Sequence, residues 1–173
     1  MKNVIRNLFL IAMSVTVTML TGCGGDESDP TEAELVGTWN TTDTAIEILV
    51  DGQDVLDWLT DQGGLSSFEA KIAEQVLEEG LSQGFEGTIT FNSDGTYITI
   101  FEDETDGGQW ALAGDKVTLT SDQVDEVPVT LTILKLNSST LIVELKETES
   151  EDLDEDGAPE EFSITIEMTL NKQ

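Results

Sequence analysis

The chain has 173 residues, one cysteine, no histidine and a net charge of −29, from 36 acidic residues against seven basic ones. A charge of that sign and size repels nucleic acid and anionic lipid headgroups. Without histidine and with a single thiol, the usual zinc sites and the Ser-His and Cys-His catalytic arrangements are excluded.

Lys2 and Arg6 open the chain with positive charge, and Leu8 to Leu20 follow without a charge and mostly apolar. That run has the length of a secretory h-region and is short for a membrane span. Leu20, Thr21 and Gly22 then lead into Cys23. A branched apolar residue, two small residues and a cysteine resemble the lipobox of a bacterial lipoprotein signal peptide. The resemblance implies that residues 1–22 are removed, that Cys23 carries lipid, palmitate among its acyl chains, and that the protein works outside the cytoplasm. Lipidation also accounts for a lone cysteine in an exported chain. Gly24, rather than Asp, follows Cys23. In lipoproteins this implies an outer-membrane destination, on the periplasmic side or the cell surface.

Residues 23–33 read as a tether, polar and punctuated by Gly24, Gly25 and Pro30. Residues 34–173 are long enough for one cooperative core. Leu35 to Asn40 is the first expected strand, and Ala45 to Val50 is ambiguous between strand and helix. Asp54 to Thr60 offers a short apolar helical face. Ser66 and Glu69 form a capping box. Phe68, Ile72, Ala73, Val76, Leu77 and Leu81 recur at helical spacing, which reads as the packed face of a core helix.

From Gly87 the period changes to two. Ile89 and Phe91 alternate with threonines, Ser93-Asp94-Gly95 turns the chain, and Tyr97 to Phe101 returns it. Gln109–Ala113 and Lys116–Thr120 meet through Gly114-Asp115. Val129, Leu131 and Ile133 form the next alternation, then Leu141, Val143 and Leu145, and finally Phe162 to Leu170. The expected fold is mainly β: an up-and-down antiparallel barrel of about eight strands, with a helical insert after the first. An open sandwich is the alternative.

Gly37-Thr38-Trp39, Phe91-Asn92-Ser93-Asp94-Gly95-Thr96 and Gly108-Gln109-Trp110 resemble the lipocalin-like domains of Bacteroidetes-type lipoproteins. The resemblance implies that Trp39, after Gly37, closes one barrel end beneath a basic residue of the last strand, which here is Lys172. It also implies carriage of a small apolar ligand.

Asp152-Leu153-Asp154-Glu155-Asp156-Gly157 places acids at positions one, three and five of a loop, with glycine at six. This is the first half of a calcium-loop pattern, with the Ala158 carbonyl and Glu160 at positions seven and nine. Position twelve is Ser163 rather than glutamate, so an ordinary acidic hairpin loop is the competing reading. With no base or nucleophile in a usual pairing, the chain reads as a non-enzyme. Two functions stay open. One is a binding module for a small apolar ligand, held to the membrane by its N-terminal lipid. The other is a structural or interaction lipoprotein with a self-filled, calcium-stabilised barrel.

Overall fold

A computed structural model of the chain describes residues 29–101, 104–123, 126–151 and 158–173. A single turn of helix, α1 (Glu32–Leu35), precedes a long strand β1 (Gly37–Val50). A short strand β2 (Gln53–Asp54) and two helices, α2 (Val55–Asp61) and α3 (Ser67–Gln83), form the insert. Seven strands follow: β3 (Gly87–Phe91), β4 (Thr96–Phe101), β5 (Glu104–Ala113), β6 (Lys116–Ser121), β7 (Val129–Leu136), β8 (Thr140–Glu151) and β9 (Glu160–Lys172).

Every pairing is antiparallel between neighbours, and β9 returns to pair with β1. The result is a closed eight-stranded barrel, β1 with β3 to β9, and β2 is a tab on the end of β1. Closure leaves no free sheet edge around most of the wall. The ambiguous run Ala45–Val50 is the second half of β1, paired with β9 from Ala45↔Glu167 to Val50↔Phe162.

The first strand begins later than the sequence pattern suggests. Leu35 ends α1 instead of starting β1, and it is fully buried at the base of the barrel. Its carbonyl accepts the Trp39 indole N–H at 2.7 Å. A helical turn places that carbonyl where an extended chain would carry it past the ring. Thr31 fixes the turn by donating its amide and hydroxyl to the Glu34 carboxylate.

The inward rows follow from strand alternation. Trp39, Ile48 and Val50 from β1, Ile89 and Phe91 from β3, Leu141, Val143 and Leu145 from β8, and Ile164, Ile166, Met168 and Leu170 from β9 are all buried in one cluster. Phe91 and Trp110 meet edge to face with centroids 5.5 Å apart, and the Trp110 N–H donates to the Asn92 carbonyl at 3.1 Å. Such a pair contributes on the order of 1 kcal/mol beyond its burial.

Thr41 and Asp43 flank a bulge in β1. β3 pairs with β1 only from Gly37 to Asn40. The rest of that edge, up to the β2 tab, faces the helical insert. Val55 is buried, and Trp58, Leu59, Leu81 and Phe85 pack against the core from outside the strands. The Ser66–Glu69 capping box is present, with the Ser66 amide donating to Glu69 at 3.0 Å.

The expected core stripe of α3 does not hold. Ala70 is the fully buried residue, while Phe68 is 75% exposed, Val76 61%, Ile72 47% and Leu77 44%. Ala70 and half-buried Ala73 lie on the side of the helix turned toward the rest of the protein. The bulky apolar side chains are turned outward.

Candidate functional site

The two ends of the barrel differ in chemistry. At the base, Trp39 is completely buried and the Lys172 ammonium lies 4.8 Å from its ring centroid. Lys172 also donates to the Glu34 carbonyl at 3.0 Å. Gly37 has φ 141° and a side chain there would strike the Lys172 methylenes, so glycine lets the lysine cross. Gly37, Trp39 and Lys172 therefore form one plug tying α1 to the first and last strands. A cation over an indole face contributes about 0.5–2 kcal/mol depending on its exposure.

At the other end the inner wall turns polar. Tyr97 is buried beside Gly108, its directly opposite residue on β5. Its hydroxyl donates to Asp106 at 2.7 Å. Ser121 donates to the other Asp106 oxygen at 2.8 Å, and the Gln123 amide to the same oxygen at 3.2 Å. Gly108 is needed because a Cβ there would run into the Thr120 carbonyl. The Tyr97 hydroxyl is pushed far above the ordinary phenol range, first by burial and then by the bond to Asp106. Burial works against the Asp106 carboxylate, but the donors Tyr97, Ser121 and Gln123 outweigh it and hold it below the usual range. Tyr97 thus stays protonated and Asp106 stays charged. That suits fixing a wall or hydrogen-bonding a ligand, and it suits proton transfer near neutral pH poorly.

Across the barrel, Glu147 and Glu149 lie opposite Ile164 and Phe162, so they share the inner face. Burial raises Glu147, and the charge of Glu149 raises it further. The alternation that puts Leu141, Val143 and Leu145 inward continues into these two glutamates. That alternation is legible in the sequence. The Tyr97–Asp106–Ser121 cluster had no such signal, because its members come from three strands brought together by register.

Two hollows open on the described residues. One, of about 540 Å³, is an open groove along Tyr97, Asp106, Gly107, Gly108, Asp122 and Gln123. The other, of about 490 Å³, is a polar recess between Asn40–Thr44 of β1 and Ser82 and Glu86. The Thr41 hydroxyl is buried without a hydrogen-bond partner. The apolar rows of β8 and β9 line neither hollow.

Cys23 and the acids Asp152, Asp154 and Asp156 lie outside the described residues. Of the loop's other candidate ligands, Ala158 is exposed and precedes β9, and Glu160 is buried at its first position. Among the described residues no group of three or more acidic or thiol side chains is arranged to hold a metal.

The family model described as "Lipocalin-like domain (DUF4923)" matches residues 11–149. The chain belongs to this lipocalin-like family. The family match ends within β8, before the β9 strand that closes the barrel of this lipocalin-like protein. No curated protein matches the sequence. Among solved structures, the chain is similar to the crystal structure of a DUF4847 family protein from Bacteroides vulgatus. That pair shares 14% identity with a TM-score of 0.33, over 77% of this chain and 94% of the other.

Proposed function

We propose that this lipocalin-like protein is a lipid-anchored, non-enzymatic interaction module of the outer membrane, with a barrel filled by its own side chains. The observation that carries this reading is the interior itself. Trp39, Phe91, Trp110, Met168 and the aliphatic rows of β8 and β9 are buried against one another in a single cluster. A carrier of small apolar molecules needs a continuous apolar cavity of several hundred Å³. Here the interior rows pack into that one cluster, and the upper lumen is lined by Asp106, Glu147 and Glu149. That arrangement supports the self-filled alternative over carriage of a small apolar ligand. The lipid anchor rests on the Leu20–Cys23 motif, and no described helix is long and apolar enough to cross a membrane.

A second reading follows from one observation, the groove beside Asp106. A charged carboxylate with its own donors in place at the edge of a 540 Å³ groove suits a small, hydrogen-bonding or cationic ligand better than a hydrocarbon.

The experiment is native mass spectrometry of protein extracted from its own membrane, followed by titration with a fluorescent fatty-acid analogue. The expected results are an acyl mass on Cys23, no retained lipid in the barrel, and no saturable binding of the analogue up to 50-fold excess, on the order of what a weak pocket would capture. Saturable binding with displacement of probe by an unlabelled apolar ligand would overturn the self-filled reading. An unmodified Cys23 would overturn the anchor.

A further inference from the structure

We infer that the outer face of α3 docks into an apolar groove bordered by lysine and arginine on another protein. Phe68, Ile72 and Val76 are spaced i, i+4, i+8, so they form one stripe. All three are substantially exposed, while Ala70 is fully buried and Leu81 packs against the core. A helix whose bulky apolar stripe looks outward matches the helix-in-groove mode of recognition, where residues at this spacing serve as anchors.

The charges around the stripe choose the occupant. Glu69, Glu78 and Glu79 are exposed on the same helix, with Lys71 the only basic residue there. The whole chain carries −29. A second copy would bring the same acidic border, so self-association works against itself. It would also be undersized. The stretch from Phe68 to Leu77 is only about 15 Å long. Face-to-face pairing of two such helices buries well below the roughly 800 Å² per partner of a stable interface. An anionic membrane is disfavoured by the same glutamates. A groove walls the helix on both sides, uses more of its surface, and can place cations opposite the acids.

Position also favours a partner beyond the anchor. α1, which follows the tether, sits at the Trp39 end of the barrel, and the insert leaves β1 at its far end, about 40 Å along the strand. α3 runs back from that end until Ser82 adjoins the Asn40–Thr44 segment, so the stripe occupies the half of the helix further from the base.

The test places a benzoylphenylalanine photo-crosslinker at Phe68, an exposed position of similar shape, in the full chain in its native cells. The expected result is one dominant adduct to another protein. Its crosslinked peptide should be apolar with lysine or arginine on its flanks. Its yield should fall at least fivefold in the Ile72→Gln/Val76→Gln background, and also when washed membranes are irradiated in 0.5 M rather than 0.05 M salt, which shortens the Debye length about threefold. Unchanged circular dichroism and thermal midpoint separate loss of docking from loss of folding. Adducts only to a second copy, only to lipid, or insensitive to the glutamine substitutions would each overturn the proposal, as would no adduct at all.

Discussion

Trp39→Phe tests the base plug most directly. The substitution keeps an aromatic ring but removes the N–H that donates to the Leu35 carbonyl at 2.7 Å. Leu35 is fully buried, so that carbonyl loses its partner away from water. Leaving such a group unpaired costs roughly 1–3 kcal/mol. The smaller ring adds roughly 1 kcal/mol in lost apolar burial and local packing. The expected loss is therefore about 2–4 kcal/mol, a large share of the 5–15 kcal/mol typical of a domain. At about 4 °C per kcal/mol this lowers the Tm by about 8–16 °C. Lys172→Met keeps the packed stem and removes the cation that lies 4.8 Å from the ring. Because a phenyl face attracts a cation less than an indole face, the two substitutions should couple by about 0.5–1 kcal/mol. Urea unfolding followed by far-UV circular dichroism measures all four corners of the cycle. A loss below about 1 kcal/mol for Trp39→Phe, or additivity within about 0.3 kcal/mol, would refute the plug as described.

The inner glutamate gives a pH dependence of defined sign. Glu147 is raised by burial and by Glu149, so its stabilising contribution is complete below its ordinary value of 4.5 and is lost as pH rises through its folded value. Glu147→Gln should raise the urea midpoint at pH 7 and leave it little changed at pH 4; an equal shift at both would show that the charge is irrelevant. Asp106 is lowered by its donors despite burial, so its contribution is present above its ordinary value of 3.8 and lost as pH falls through the folded one. Asp106→Asn should cost about 1–3 kcal/mol at neutral pH. Tyr97 is the single tyrosine of the chain, so absorbance near 295 nm follows it alone among tyrosines. Its ionisation should move to lower pH in Asp106→Asn, and superimposable curves for the two proteins would exclude the bond. The Asp152–Glu160 loop is tested by scanning calorimetry. Millimolar calcium should raise the Tm by a few degrees more than equal magnesium does, and matching Tm values would leave it an ordinary acidic loop.

How much was legible from the chain differs by element. The hairpins were readable because their determinants are local. Gly95 takes φ 85° and Gly114 φ 64° at the turns the pattern names, and threonines alternate with apolar residues on either side. The Ser66–Glu69 cap was readable for the same reason. The Trp39–Lys172 contact came from family resemblance rather than from spacing, since the two residues lie at opposite ends of the domain. The inner glutamates are hard to read from sequence because acids on an alternating strand ordinarily mark its wet face. Here strand parity, continued from Leu145, puts them in the lumen.

The amino-acid sequence determined the mainly β architecture, the order of its strands and the place of the helical insert. Period, turns and caps are set by neighbours a few residues apart. Only the tertiary structure decided which side of α3 meets the barrel and which residues gather around Asp106. On α3 both sides carry apolar residues, and periodicity cannot rank them. Packing buries the small Ala70 and half-buries Ala73, and leaves Phe68, Ile72 and Val76 outside. Around Asp106, the register of β4 and β6 against β5 brings Tyr97 and Ser121 to one carboxylate, and a one-residue slip would turn them to the opposite face.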